Sequence, residues 1–481
     1  MTNSKNDVVK GLFWTLSERF MSQIVSVFVT IVLTRLIAPS DYGVISIVTV
    51  IIAILNVFMT SGFSASLIQQ DKIDEIDYST VLYFSIAFGL FIYILVFIFS
   101  PLLAEFYQLP QLDLVLKILA VKIPLSALNS VQQAYVSRNM LFQKFFVSTV
   151  SATLVSGVIG VTLAYSNFGV WSLVAQDLSN VITITLVLWF SVGWRPTLQF
   201  SFLRLKKLYG FGIKIFFQTL FNTIYVNIRS LLIGGFYSAT DLAYYTKGNQ
   251  YPNLIVTNID TAVSKTMFPV MSREQDNFDR VKSLTRRIAQ TSSYIMSPIL
   301  VGFFVCAETI VSIVMTDKWL PSVPYIRIIC ICLLIRASQT AILQAIKSIG
   351  RSDIVLKMDI PVRVFALLLL LFTIRLGVIY IAISEIVVET LALLIYSYYS
   401  SKLISYNYFE VFSDFIKNVF MATIMGLVVY FAGACISITP FINLVFQIIL
   451  GVVVYISLSI ISKNESWIYI MNGLIKRGDS L

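Results

Sequence analysis

Long apolar runs, separated by short polar connections, make up most of the sequence. A membrane-spanning helix needs about 20 mostly apolar residues, and about fourteen segments reach that length. Only 12% of the residues are charged, against about 25% in a soluble domain, so a water-soluble fold could not bury this much apolar surface. The sequence predicts an all-α polytopic membrane protein with helices near 11–37, 43–69, 79–104, 113–137, 144–166, 170–192, 207–235, 241–270, 283–315, 322–348, 354–375, 378–402, 411–433 and 439–462.

Lys and Arg are concentrated in every second connection between the predicted helices. The alternate connections hold little more than Lys318 and Arg375, and a bias of roughly ten to one is typical of the positive-inside rule. The bias predicts an even number of helices with both termini in the cytoplasm. Because the basic residues are spread over many connections, the net charge of +10 does not indicate nucleic-acid binding. The first run contains Glu18 and Arg19 and is too long for a signal peptide, so it is predicted to span the membrane.

The connection after the first predicted helix recurs 200 residues later, where Asp41 falls on Asp241. Two further connections also match, at a drifting offset: Ser137–Arg138 with Gly350–Arg351, and Phe168–Val170 with Leu376–Val378. Because each half holds six helices, both halves cross the membrane in the same direction, related by a pseudo-two-fold axis along its normal. The repeat predicts an N-lobe over 1–200, a C-lobe over 201–404 and two C-terminal helices with a cytoplasmic tail over 405–481, with a cavity between the lobes near the midplane.

Polar and basic side chains recur every three or four residues along several predicted helices, which places them on one helix face. A charge at the bilayer centre costs about 2.5–3.5 kcal/mol, so these faces are expected to line a polar cavity, and their basic residues are expected to face that cavity or to pair with acidic residues. Arg35, Lys117 and Arg327 lie near helix ends and are expected to snorkel instead. Surplus Arg and Lys favour a phosphate-bearing substrate, and amides suit its sugars. The predicted substrate-binding residues are Arg19, Lys122, Lys214, Arg229, Lys247, Arg336, Arg363, Gln218, Asn222, Asn249 and Asn253.

Several chemistries are disfavoured by what the sequence lacks. It contains no histidine, which removes the commonest general acid–base and metal-binding side chain. The four cysteines lie in apolar runs without metal-site spacing, and no Walker motif for ATP binding is present. We therefore expect a transporter that is not an enzyme and uses no cofactor or metal.

A series of short motifs resembles the polysaccharide transporter branch of the multidrug/oligosaccharidyl-lipid/polysaccharide exporter superfamily, the Wzx-like flippases. The similarity covers essentially the whole chain, and the connection Thr34–Gly43 is its most specific part. The other motifs are Lys10-Gly11, Ser61-Gly62-Phe63, Arg138-Asn139-Met140 and Phe268-Pro269 with Ser272-Arg273.

The resemblance implies a two-lobed, MATE-like fold in a bacterial inner membrane, and flipping of undecaprenyl-pyrophosphate-linked oligosaccharides by alternating access. It implies that Arg19, Lys214, Arg229 and Lys247 bind pyrophosphate, and that the last helix pair, Val411 to Ile461, flanks the polyprenyl tail. The expected partners are the lipid-linked oligosaccharide, membrane lipids, and the polysaccharide polymerase and chain-length machinery, for a chain that is itself a monomer.

Acidic residues within the predicted helices suggest coupling to an ion gradient. The coupling candidates are Glu18, Asp177, Asp260 and Glu385. Asp177 and Glu385 occupy matched positions of the repeat and can equally be structural partners of nearby cations.

Two other functions are consistent with parts of the sequence. A cation-coupled multidrug antiporter of the same superfamily would share the fold, but such proteins tend to have acidic cavities. The second alternative is a membrane-embedded glycan polymerase or glycosyltransferase. The best metal-like cluster is Asp71, Asp74, Glu75 and Asp77, which is more simply a solvated loop.

Overall fold

The computed structural model describes residues 3–70, 73–435 and 439–478, and these residues form helices joined by short turns. Contacts divide the chain into two compact units, Met1–Ala243 and Tyr244–Leu481. The first unit holds nine helices and the start of a tenth: α1 (Asn3–Leu36), α2 (Pro39–Thr60), α3 (Phe63–Gln69), α4 (Glu75–Phe106), α5 (Pro110–Leu119), α6 (Lys122–Arg138), α7 (Phe142–Tyr165), α8 (Val170–Ser191) and α9 (Phe202–Phe236).

The second unit contains the remaining helices and one 3-10 helix, Asp317–Ser322. Its α-helices are α10 (Ala239–Arg273), α11 (Phe278–Val305), α12 (Ala307–Met315), α13 (Val323–Arg336), α14 (Gln339–Ser348), α15 (Ser352–Thr373), α16 (Val378–Ile404), α17 (Tyr408–Cys435), α18 (Pro440–Ile461) and α19 (Glu465–Gly478).

The predicted all-α polytopic fold is confirmed. Every predicted segment coincides with one long helix or with a broken pair, and within the described residues eleven segments are long and apolar enough to cross a membrane. The three predicted segments outside that set are α9, α10 and α15, which carry more polar residues. The short helix α19, in the predicted tail, is an addition that the apolar-run count did not reveal.

Four of the predicted spans are broken pairs of helices, and in two of them the local sequence explains the break. α2 ends before Gly62, whose φ of +92° is in the left-handed region that glycine tolerates. α5 ends at Leu119, three residues before Lys122, because Pro124 has no N–H to donate to the carbonyl of Ala120. α11 and α12 meet at Cys306, whose backbone leaves the helical conformation.

Helix α9 packs within the first unit, although the repeat places it in the predicted C-lobe. A Cβ atom on Gly212 of α9 would lie 2.7 Å from the carbonyl carbon of Gly62, so the two backbones touch. The Ser66 hydroxyl donates to the carbonyl of Leu208 at 3.0 Å. The compact unit therefore extends past residue 200, whereas the predicted lobe boundaries, which rest on the repeat, remain a prediction.

The two copies of the repeated connection meet inside the first unit. A Cβ atom on Gly43, near the start of α2, would lie 1.8 Å from the carbonyl oxygen of Ala239 at the start of α10. The glycine is therefore required by a backbone-to-backbone contact. Asp241 caps α10 reciprocally with Ser238, whose hydroxyl donates to the carboxylate at 2.6 Å and accepts from the Asp241 amide at 3.1 Å.

An ion pair with a buried carboxylate joins α17 to α11 in the second unit. The Arg286 guanidinium donates to both carboxylate oxygens of Asp414, at 2.7 and 3.0 Å. Gln290 and Tyr406 also donate to this carboxylate, at 2.8 and 3.1 Å, and the Asp414 side chain is only 1% exposed. This network fixes α17 against α11.

Candidate functional site

The polar stripe of α1 is only partly available to a ligand. Glu18 accepts a hydrogen bond from the Thr149 hydroxyl of α7 at 2.9 Å. The hydroxyls of Ser22 and Thr34 donate back to carbonyls one turn earlier in α1. Arg19 is exposed, and within the described part of the chain its guanidinium forms no ion pair. Of the candidates on α1, Arg19 is therefore the side chain that can meet an anion.

A second polar face lies on α9. Lys214, Gln218 and Asn222 are spaced by four residues and are all exposed, and Arg229, further along the helix, is partly buried. The Lys214 ammonium makes no ion pair with any described residue. Because α9 packs on α2, α3 and α4 with its other face, this stripe is a surface of the first unit.

Lys122 and Asp177 neutralise each other in the first unit. The ammonium lies 2.9 Å from the carboxylate, and the pair joins α6 to α8. The Lys122 side chain is only 13% exposed. This arrangement matches the expectation that Asp177 is a structural partner of a nearby cation, and it leaves Lys122 less able to bind an anion than Arg19 or Lys214.

The polar stripe of α10 is bonded largely within the second unit. The buried Lys247 ammonium lies 3.0 Å from the side-chain oxygen of Gln250. The Asn253 amide donates to the side chain of Asn249. Asp260 accepts from the Thr340 hydroxyl of α14 at 3.0 Å, and Arg336 is close enough to interact with this carboxylate electrostatically.

Helices α15 and α16 carry several acidic residues, of which only Glu385 was predicted as a coupling candidate. Glu385, the predicted candidate, accepts from the Tyr245 hydroxyl of α10. Glu389 accepts from the Gln339 amide at 3.1 Å. Asp359 accepts from the Tyr396 hydroxyl at 2.7 Å and lies 3.8 Å from the Arg363 guanidinium. The spacing of four residues between Asp359 and Arg363 was the sequence signal for this pair.

The acidic segment at the start of α4 has a structural role. Asp74 and Asp77 form a capping box at the start of α4, and both carboxylates pair with Arg204, at 2.9 and 3.2 Å. Asp71 lies outside the described residues. Among the described residues no group of three His, Cys, Asp or Glu side chains is placed to hold a metal ion, so the metal-like interpretation of this segment gains no support.

An apolar cavity lies beside the C-terminal helix pair. It has a volume of about 380 Å³ between α11–α12 and α17–α18. Its wall includes Pro298, Phe303, Met425 and Ile448, and Gln447 is its main polar side chain. The cavity can accommodate a hydrocarbon chain.

Comparison with known proteins places the chain among polysaccharide biosynthesis proteins. Residues 32–324, more than half of the chain, match the family described as polysaccharide biosynthesis protein. The teichuronic acid biosynthesis protein TuaB of Bacillus subtilis is 21% identical over 436 residues, which cover 89% of this chain and 90% of TuaB. The succinoglycan biosynthesis transport protein ExoT of Rhizobium meliloti is 22% identical over 328 residues, which cover 68% and 66% of the two chains.

The fold is also that of a solved flippase. The inward closed conformation of the lipid II flippase MurJ matches with a TM-score of 0.75 at 16% identity, over 94% of this chain and 99% of MurJ. At this identity the likeness establishes the fold alone. Together with the family match, it confirms the predicted resemblance: this multi-pass membrane protein belongs to the polysaccharide biosynthesis protein family.

Proposed function

We propose that the chain flips an undecaprenyl-pyrophosphate-linked oligosaccharide, the repeat unit of a surface polysaccharide, across the cytoplasmic membrane by alternating access. The family supports a role in polysaccharide biosynthesis, the relative ExoT is named as a transport protein, and the MurJ-like fold is compatible with carrying a lipid-linked substrate. In this proposal both termini are cytoplasmic, and the polymerase and chain-length machinery receive the product on the outer side.

The observation that carries the proposal is the contrast among the basic residues. Lys122 is held by a carboxylate, whereas Arg19 and Lys214 are exposed and form no ion pair with the described residues. An unpaired cation in a predicted span is too costly to face hydrocarbon. Arg and Lys bind phosphate oxygens through charge-assisted hydrogen bonds, so these two side chains are suited to the pyrophosphate of the substrate.

The apolar cavity beside α17 and α18 is suited to the other end of the same substrate. Its wall is almost wholly hydrocarbon, and burying apolar surface is favourable by about 25 cal/mol for each Å². We propose that the polyprenyl chain rests there while the pyrophosphate meets the cations.

Coupling to an ion gradient would use carboxylates that are not already neutralised by a cation. Asp177 is paired with Lys122, whereas Glu18 accepts a hydrogen bond from the neutral Thr149 hydroxyl. We propose Glu18 as a group that exchanges a proton or cation during the cycle.

The test is translocation by the purified protein in proteoliposomes. A fluorescently tagged undecaprenyl-pyrophosphate oligosaccharide should move from a protected leaflet to one accessible to a membrane-impermeant quencher, and a cationic dye should not be exported. Liposomes with heat-inactivated protein are the control. Export of the dye without movement of the lipid-linked sugar would overturn the proposal in favour of drug antiport.

A further inference from the structure

A cleft of about 490 Å³ opens at one end of the first unit, and none of the predicted substrate-binding residues lines it. It is formed by the first turn of α2, the first turns of α5 and the connection between α7 and α8. These three connections follow the first, third and fifth predicted spans. With both termini cytoplasmic, an odd number of crossings places all three on the outer side of the membrane.

The Asp41 carboxylate in this cleft is not used to cap α2. Residue 38, ahead of α2, is alanine, and α2 has no side-chain cap, whereas the matched Asp241 is engaged by Ser238. Within the described residues Asp41 makes no side-chain hydrogen bond or ion pair. One of its carboxylate oxygens lies over Gly169, where a Cβ atom would approach to 3.0 Å. At the same position of the repeat, Asp241 therefore caps a helix, whereas the Asp41 carboxylate is available to a ligand.

The remaining wall of the cleft combines amide and aromatic side chains. Gln111 and Asn167 are exposed and can both donate and accept hydrogen bonds. Phe168 is 52% exposed and lies near Trp171 in the wall. A pyranose ring has hydroxyls around its edge and C–H groups on its faces, which suits amides and a carboxylate beside aromatic surface. The lining residues include no basic side chain, so an anion would be repelled by Asp41.

We infer that this outer cleft binds a neutral or N-acetylated pyranose of the glycan as it leaves the transporter. The inference rests on the proposed function for its physiological substrate. It assigns the sugar and the pyrophosphate to different places: the sugar to Asp41 and its neighbours, and the pyrophosphate to cationic side chains elsewhere.

The test measures sugar binding directly, apart from translocation. Saturation-transfer NMR is recorded on the full chain in nanodiscs with methyl β-glucopyranoside, with methyl N-acetyl-β-glucosaminide and, as the anionic comparison, with methyl β-glucuronide. We expect binding of the two uncharged glycosides to weaken about tenfold in Asp41→Ala, because a charge-assisted hydrogen bond is lost. Gln111→Ala, a change at an exposed position, should weaken it by a smaller factor.

The matched control is Asp241→Ala, which removes the equivalent carboxylate of the other repeat and should leave sugar binding at the wild-type level. Equal binding in Asp41→Ala and the wild type, no binding in the wild type, or glucuronide binding as tight as that of the uncharged glycosides would each overturn the inference. Failure of the wild type to translocate lipid-linked glycan would instead overturn the proposed function, since the NMR measurement does not depend on transport.

Discussion

Arg286→Met should lower the free energy of unfolding by about 3–5 kcal/mol, because it leaves a carboxylate buried without its cation. The Asp414 side chain is 1% exposed and would keep only the hydrogen bonds from Gln290 and Tyr406. Arg286 is itself 40% exposed, so Asp414→Asn should cost less, since water can reach the remaining guanidinium. Thermal unfolding in detergent, followed by circular dichroism, measures the difference.

Two further variants test whether the loss of stability comes from the unpaired Asp414 carboxylate. The double variant Arg286→Met/Asp414→Asn should recover part of the lost stability, because it removes the uncompensated charge. Lys282→Ala breaks a neighbouring pair, in which Lys282 and Glu410 are 27% and 30% exposed, and such a pair contributes about 1 kcal/mol or less. A midpoint for Arg286→Met equal to that of Lys282→Ala would show that the buried network contributes little to stability.

Gly43→Ala should destabilise the first unit by about 1–3 kcal/mol or more, since added volume in a tight contact forces the backbone apart. The new Cβ atom would lie 1.8 Å from the carbonyl oxygen of Ala239, and neither backbone can move aside as a flexible side chain would. The expected result is a lower yield of folded protein in membranes and a lower unfolding midpoint.

Gly302→Ala is the matched control for this substitution. Gly302 lies inside α11 with nothing within 4 Å of its Cβ position, and alanine is preferred over glycine in a helix by about 1 kcal/mol. The control should therefore be as stable as the wild type or more so. If Gly43→Ala behaves like Gly302→Ala, the two repeated connections are not in contact.

The helices could be predicted from the sequence because apolar length is a local property. All fourteen predicted segments coincide with helices or broken pairs, and two of the breaks follow from a positive-φ glycine and from Pro124. The ion pair of Arg286 with Asp414 could not be predicted, because its partners are 128 residues apart and hydrophobic periodicity contains no information on which helices are neighbours.

The sequence predicts which types of residue lie at the candidate site, but it predicts less well which of them bind a ligand and which stabilise the fold. The stripe on α9 follows from four-residue spacing, but spacing alone does not distinguish Lys122, which is held by Asp177, from Lys214, which pairs with no carboxylate among the described residues. Asp241 caps a helix and Asp41 does not, because residue 238 is serine and residue 38 is alanine. The sequence shows this difference only once the starts of the two helices are known.

The central claim is that exposed cations of the first unit bind the pyrophosphate of the substrate. Its most direct test is the initial rate of translocation of undecaprenyl-pyrophosphate oligosaccharide in Arg19→Ala and Lys214→Ala, at equal amounts of folded protein in the liposomes. Lys206→Ala, which removes another exposed lysine of α9, is the matched control. The account predicts a fall of about tenfold or more for each of the first two variants, partial activity in Arg19→Lys, and a wild-type rate in the control. Wild-type rates in both Arg19→Ala and Lys214→Ala would contradict it.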